Sequence, residues 1–582
     1  MSRVKRKSSN KYSGGGFFQS NYPVPRKLYR YLWSLTEDIK LKGKPQTVRK
    51  KRKKYHRFIT HVFMNMRTQV INQKTFQNGN ECVPIYSRLI ENKFGRKFRV
   101  RKLRKKIIKI KGHNTLAGNS REFSLKDEIY EKALRIEFKG MSKFWNNLLC
   151  EKKKAKKDYD LVNLVTGRLH ERPKKSALSE KCGNIDYANL PKLINKSIKS
   201  LSPSPFNPKY IRRWVKKLRN KYKYEVRNFK KIREEFEDGS AEYKAAEKDF
   251  VKARGKYLND FLSLMTITSQ NPKKSLHNST DGDSLCEYKA AYSIQGSGRI
   301  SEIRGGFQNA SRYFKYLFYR HVPNIYNYDL KNSQATMLME ELEKCGFQCS
   351  WLKKYIEEAD VKKELAATIG ISVDLWKDCF YALIFGAEAE RQHGAIYENI
   401  YEYFRGDLSK TKTAYRSFKR ILKELLTATK KWRDYLYESD DKRYHYHHDG
   451  FKYWKNACGM HFKDYGIKKK NGNIHLYDKL NDNRLITSKP LINRCKRRLA
   501  AFMLQGKEAC FIHNLTILCH ENNIPVYKNE HDGIITGKNI SEELIDAAAL
   551  MAKVNSPHME IKELCPKEQK NEWKKYVKEF KK

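Results

Sequence analysis

No stretch of this 582-residue chain approaches the ~20 consecutive apolar residues that a membrane-spanning helix needs. The first residues, Met1–Lys11, are basic but lack the apolar segment of a secretory signal. Twelve cysteines are present, yet no CxxC pair occurs among them, which suits a reducing interior without disulfides. Acidic residues are scarce: 64 Asp and Glu stand against 121 Lys and Arg, a formal net charge of +57. So large an excess, interleaved with 12% aromatics, points to a polyanionic partner, and without an apolar span that partner is nucleic acid rather than membrane. There is no internal repeat, and the length allows two to four domains around a sizeable core. The expected compartment is therefore cytoplasmic, close to the nucleoid.

Against that background one stretch organises the chain. A strand-like run from Asn324 to Tyr328 ends in Asp329, and a helix-like run from Gln334 to Cys345 follows at once. Far downstream, Ile524 to Gly537 reads as two short strands whose bend carries Asp532. If the two segments pair, Asp329 and Asp532 meet. Two carboxylates sharing two Mg²⁺ ions roughly 3.5–4 Å apart form a device for in-line phosphoryl transfer. Mg²⁺ keeps waters and substrate phosphates as ligands, so two acids suffice, and Mn²⁺ can substitute. Each Asp taken alone is equally a turn residue.

The N-terminal part is basic throughout. Residues 1–55 contain Gly14-Gly15-Gly16 and the run Lys50–Lys54, a solvated phosphate-binding segment. Periodicity predicts a helix from Arg57 to Gln73, a short helix over Val83–Ile90 and a third from Phe98 to Ile107, followed by a turn-rich hairpin to Leu125. Three helices and a hairpin resemble a winged helix-turn-helix, and Gly118-Asn-Ser-Arg-Glu-Phe-Ser-Leu125 is similar to the wing strand of such domains in replication initiators. Arg99, Arg101 and Arg104 on the third helix would then face a phosphate-lined groove; the alternative is a basic helical module without duplex specificity. Ser202-Pro-Ser-Pro205 reads as a linker. Beyond it, Lys209–Glu237 and Ala241–Met265 read as a helical hairpin, either a coiled-coil arm or a thumb gripping duplex backbone.

Residues 290 to 540 resemble the palm and fingers of family A DNA polymerases, the bacterial DNA polymerase I group. Five motifs carry the resemblance in order. Gly298-Arg299-Ile-Ser301 with Phe307-Gln308-Asn309-Ala-Ser-Arg312 is similar to the element that touches primer and template. Asp329 to Leu338 is similar to motif A, and Lys377, Tyr381, Phe385 and Gly386 to the fingers helix. Arg497 to Gly506, with Gln505, is similar to a later palm helix, and Glu530-His531-Asp532-Gly533 to motif C. The resemblance implies an α+β right-hand fold. Its parts would be a basic segment (1–55), a winged-helix module (56–125), a connecting region (126–205), a helical thumb (206–285), palm (286–345), fingers (346–440) and the palm completion with motif C (441–582).

It also implies roles. Asp329 and Asp532 would hold two Mg²⁺ ions, while Lys377 would meet the triphosphate and Tyr381 and Phe385 would stack over the incoming base. Arg299, Arg312 and Arg497 would grip phosphates, and Gln308, Asn309, Gln505 and His531 would contact the primer end. The implied activity is DNA-directed DNA polymerisation on a DNA primer-template from deoxynucleoside triphosphates, aided by an accessory or priming protein.

Departures from the pattern matter equally. Gln334 stands where the family has the Glu that excludes a ribose hydroxyl, Phe385 replaces Tyr, Val373 a fingers Arg, Gly533 the motif C Glu, and Ala501 an Asn. They suggest a divergent branch from a plasmid, phage or other mobile element, and they keep three alternatives open: a single-subunit phage-type RNA polymerase, a primase-like enzyme, and an inactive replication initiator. No upstream DxE-type cluster suggests a proofreading exonuclease. His445, His447, His448, Asp449, Cys458 and His461 invite a zinc reading, but without paired CxxC and HxxxH ligands an exposed histidine-rich insertion is the expectation.

Overall fold

The computed structural model describes residues 23–71, 83–86, most of 90–137, 161–163, 191–211, isolated positions between 214 and 267, and 273–571 apart from short gaps at 303–305, 359, 388–393, 405, 471–472, 480–482, 556 and 568–569. The helical hairpin read over 209–265 lies almost wholly outside the described residues.

The N-terminal part runs β1 (Pro23–Pro25), α1 (Arg26–Ser34), α2 (Pro45–Ile71), β2 (Val83–Tyr86), α3 (Arg101–Arg104), β3 (Ile108–Asn114), β4 (Ser120–Leu125) and β5 (Leu161–Asn163). In α2 the buried residues Tyr55, Phe58, Ile59, Val62, Phe63 and Met66 recur at three- and four-residue spacing, so this face packs inward while Lys50–Lys54 stay in solvent. Two expectations fail here. Val83–Tyr86 is a strand, not a helix, and it completes a sheet of order β2-β4-β3; the helix expected over Phe98–Ile107 is reduced to the single turn of α3. Partners on β4 decide the first case, since Ile85 gains cross-strand pairing that its β-branched side chain favours.

The middle of the chain contributes α4 (Lys192–Ser200), β6 (Ser204–Phe206), β7 (Lys273–Asn278), β8 (Ser284–Tyr288), β9 (Tyr292–Ile294), β10 (Ile300–Glu302) and α5 (Arg312–Phe318). The expected linker at Ser202–Pro205 is instead part of a buried strand: β6 pairs with β8, and the Ser204 hydroxyl bonds to Tyr319 Oη at 2.8 Å. Proline tolerates that place because an edge strand leaves its missing N–H unmissed. Buried residues of the N-terminal part share one apolar core with Phe206, Phe307, Phe314, Phe318, Ile535 and Cys565.

Next come β11 (Tyr326–Leu330), α6 (Ser333–Lys344), α7 (Ser350–Glu357), α8 (Val361–Ile369), α9 (Val373–Ile384), α10 (Ala395–Tyr403), α11 (Leu408–Ile421) and α12 (Lys423–Glu438). A five-stranded meander follows, β12 (His445–His448), β13 (Phe451–Lys455), β14 (His461–Lys470), β15 (Asn473–Asp478) and β16 (Arg484–Ile486), and then the 33-residue α13 (Lys489–Glu521). The chain closes with β17 (Val526–Asn529), β18 (Gly533–Thr536), α14 (Glu542–Ala552) and β19 (Met559–Ile561). From Leu499 to Cys519 nearly every residue of α13 is buried, so this helix is a central post, packed by α4, α6, α12 and α14, by β14 of the meander and by the β17–β18 hairpin. Gly506 permits one of those contacts: a Cβ there would overlap the Asn456 side chain.

The sheet that matters for function has the order β17-β18-β11-β19, antiparallel throughout. Among the described residues no helix is long and apolar enough to cross a membrane.

Candidate active site

Alternation along β11 buries Tyr328 and Leu330 and turns Asp329 to the opposite face, as the two-residue period requires. Register then brings Asp532 alongside: Asp329 is the partner of Gly533, and the Leu330 N–H donates to the Asp532 carbonyl at 2.8 Å. The bend between β17 and β18 is held by Glu530 N–H donating to Gly533 O (2.8 Å) and His531 N–H donating to Asn529 Oδ1 (3.0 Å), with His531 at φ +75°. Gly533 has no room for a side chain, because a Cβ would run into the Tyr328 carbonyl across the ladder.

A third carboxylate, missed in the sequence, stands behind the pair. Glu508 on α13 is 1% exposed and is bonded by Arg299, the Ser333 hydroxyl and the Gln334 amide. Its signal in the sequence is an acid abutting the apolar run Ala509–Ile512, a place where a carboxylate must find partners. Burial pushes Glu508 above the usual carboxylate range, with Arg299, Ser333 and Gln334 opposing. Asp532 is open to solvent along one side, but the cleft walls withdraw water from it. That loss, with Glu508 and Asp329 adding negative potential, pushes its carboxyl up to about 7.

Helix α9 approaches the same carboxylates. Ser372 caps it by accepting from the Leu375 N–H (3.2 Å), Asp374 favours its positive end, and Trp376, Cys379, Phe380 and Leu383 bury one face. Lys377 and Tyr381 are left half-buried on another face. Burial first, then the charges of Asp532, Glu508 and Asp329, push the Tyr381 phenol up to about 12, so the phenol lies within electrostatic reach of the acids. Phe385 ends the helix, and Gly386 (φ +94°) follows so closely against α13 that a Cβ would lie 2.6 Å from Arg497 Cβ. The C-terminal end of α9 at Phe385–Gly386 thus lies directly against Arg497 of α13.

The carboxylates open on a cleft of about 630 Å³ lined by Arg312, Lys315, Asp329, Glu530, Asp532, Lys562 and Lys567 among others. Lys562, just past β19, bridges Asp329 and Glu560, which face each other in the β11–β19 register. Burial works against the Lys562 charge, but its bonds to those two carboxylates hold its pKa up. Lys362 on α8 is a second cation missed in the sequence. It bonds Asn332 Oδ1 and is pulled below the ordinary lysine value by burial and by Lys377, Lys331 and Lys562 nearby. Lys331, Lys377 and Lys562 are thus all within electrostatic reach of Lys362, and of the four Lys562 lines the cleft itself.

Other predicted residues have different surroundings. Arg299 is turned to Glu508, and the Gln334 amide is buried against the same carboxylate, not free in the cleft. Gln308 spends its amide inside the protein: its Nε2–H donates to Asn529 O (2.9 Å) and Ile300 O (3.3 Å), and its Oε1 accepts from the Glu302 N–H (2.9 Å). Gln505 is half-buried, and Asn309 and Arg312 are exposed, the latter at the start of α5. Burial, then Arg299 and Lys315, push the His531 ring down to about 4, so it is neutral at pH 7. Arg99 and Arg101 are exposed on the N-terminal part; Arg104 lies in α3.

The histidine-rich stretch forms no cage. His445 lies within bonding distance of the Asp441 and Leu436 carbonyls, Cys458 donates to Gly506 O at 3.2 Å, and Asp449-Gly450, both at positive φ, make the two-residue β12–β13 turn. Among the described residues no group of three His, Cys, Asp or Glu side chains is placed to hold a metal alone. The Asp329–Asp532 floor fits Mg²⁺ on other grounds. Two carboxylates share the floor, Asp532 raised by burial and then by the charges of Glu508 and Asp329, and the adjoining space admits the phosphates and waters that would complete a hard cation's shell.

No family model matches the chain, and no curated protein matches it. Solved structures similar to it include the POL domain of Pol1 from M. smegmatis in complex with DNA primer-template and dNTP, with a TM-score of 0.41 and 10% identity over 64% of this chain and 69% of that one.

Proposed function

We propose that the chain is a template-directed DNA polymerase that adds nucleotides to a primer 3′ hydroxyl, with a right-hand arrangement of palm and fingers. One observation carries this reading: the β11–β18 register sets Asp329 and Asp532 side by side in a cleft lined by Arg312, Lys315, Lys562 and Lys567, with Tyr381 of α9 within electrostatic reach of both acids. Asp329 and Asp532 are the residues that would hold divalent metal, which when bound supplies activation of the hydroxyl and neutralisation of phosphoryl charge. Lys377, Lys362 and Lys331 provide fixed positive charge for a triphosphate, and Tyr381 offers a ring for the incoming base. Positioning and charge neutralisation are most of what phosphoryl transfer asks of a protein. Glu508 acts through others: it orients Gln334 and Arg299 and makes the potential at Asp532 more negative, which favours the protonated carboxyl.

The N-terminal β2-β4-β3 sheet with α2 before it and α3 within it suits a winged-helix module, with Arg99 and Arg101 exposed for duplex phosphates. Replication of a mobile element, without proofreading, is the setting this reading favours. A second reading, ribonucleotide incorporation, is favoured by the burial of the Gln334 amide against Glu508 and by Phe385, which has no hydroxyl. Primer extension on DNA with dNTPs and NTPs in parallel tests both. Extension with dNTPs supports the first reading, a preference for NTPs the second, and neither product removes both.

A further inference from the structure

The meander β12–β16 interrupts the chain between α12 and α13, and its two faces differ. One face is ordinary core: Trp454, Phe462, Ile467 and Leu476 pack into the large apolar cluster, and Trp454 Nε1–H donates to Leu436 O at 2.8 Å. The other face carries Tyr446, Phe451, Tyr453 and Tyr477, none of them in the two large apolar clusters; Phe451 and Tyr453 are buried beneath their neighbours, and Tyr446 and Tyr477 are the half-buried rings beside them. They form a row across four strands, because Tyr446 pairs with Tyr453, Gly466 lies against Phe451 and Tyr453, and Tyr477 pairs with Gly466. Gly466 is what lets the rings lie down: a Cβ there would sit 3.1 Å from Phe451 Cδ1 and 3.2 Å from Tyr453 Cε1. Tyr446 and Tyr453 stack at 5.4 Å and 23°, and His461 extends the row, 4.2 Å from Tyr446.

Charge completes the pattern. Lys479 Nζ stands 3.6 Å and Lys468 Nζ 4.1 Å from the centre of the same Phe451 ring. Among the described residues neither ammonium has a carboxylate partner. Two like charges over one ring repel, and one phosphate between them would relieve both. Exposed Lys455 lies on the same face, opposite His461. Rings that are half-buried at Tyr446, His461 and Tyr477, bordered by unpaired cations, suit unstacked bases joined by phosphates. A duplex offers such a surface its phosphates but hides its base faces.

We infer that this face of the meander is a binding platform for single-stranded DNA, separate from the carboxylate cleft. The inference rests on the polymerase reading only for the choice of DNA over RNA.

The test is fluorescence anisotropy of the full chain with labelled oligothymidylate, oligouridylate and a DNA duplex, in the Asp532→Asn background so that no chemistry intervenes. Tyr446→Ala with Tyr477→Ala should weaken oligothymidylate binding by about tenfold or more while leaving duplex binding unchanged, since stacking acts on unpaired bases. The Tyr→Phe pair should restore it, which separates lost stacking from lost folding. Lys468→Gln with Lys479→Gln should lower the salt slope by ~1.4, two phosphate contacts on a single strand. Equal losses for oligothymidylate and duplex, no loss for either, or tighter binding of oligouridylate would each overturn the assignment. All these outcomes are independent of whether the chain extends primers.

Discussion

Asp329 faces Gly533 across the β11–β18 ladder so closely that the glycine's missing side chain is a condition of the pairing. The absence of an acid at 533 is therefore a steric matter as well as a chemical one. Gly533→Ala should lower the thermal midpoint and impair nucleotide addition together, because the added Cβ forces apart the two strands that align Asp329 with Asp532. Gly533→Glu should behave worse, not better. Activity retained in Gly533→Ala would show that the register tolerates a shift.

Proton linkage at Asp532 gives a second expectation. Its carboxyl is raised to about 7 in the folded, metal-free protein, against roughly 4 when unfolded. Between those values the folded state holds the extra proton, so this group's contribution to stability is intact below about pH 4 and is lost as pH rises through about 7. In EDTA, Asp532→Asn should therefore raise the melting temperature more at about pH 8 than at about pH 5. A difference that does not vary with pH contradicts the raised carboxyl that burial, with Glu508 and Asp329, produces at this site.

Glu508 is the residue whose loss should be felt furthest. Glu508→Leu leaves Arg299 buried without its partner, and breaking a buried pair from one side costs about 3–5 kcal/mol, measurable by urea unfolding. Glu508→Gln removes the charge and keeps the shape, so it should move the Asp532 titration to lower pH, as followed by carboxyl NMR. An unmoved Asp532 would mean that Glu508 exerts no field on the floor of the cleft.

The cleft's acids were legible in the sequence because strand ends, turns and helix spacing are local patterns. Asp329 before α6, the β17–β18 bend, and the face shared by Lys377 and Tyr381 all follow from periods of two and of three to four residues. Glu508 and Lys362 were not legible: each acts through residues distant in the chain, Glu508 through Arg299, more than two hundred positions away, and Lys362 through Lys562. Val83–Tyr86 and Ser204–Phe206 misled for the same reason, since their strand partners, β4 and β8, lie far downstream. The Gln308 amide illustrates the converse, a polar side chain whose motif suggested an external ligand but which the fold uses to tie β10 to β17.

Lys562 occupies Asp329 and Glu560 as a built-in cation. Removing it as Lys562→Met should tighten Mn²⁺ binding, read by the loss of free-ion signal in electron paramagnetic resonance, because the metal no longer displaces an ammonium. Weaker Mn²⁺ binding would assign Lys562 a supporting role in place of a competing one.

The most direct test is primer extension on a DNA template with Mg²⁺ and dNTPs, comparing the unaltered chain with Asp329→Asn and Asp532→Asn, with anisotropy on the same duplex as the control. The account predicts extension by the unaltered chain, none by either variant, and duplex binding by all three. Extension by either variant would contradict the assignment of these two carboxylates as the catalytic pair.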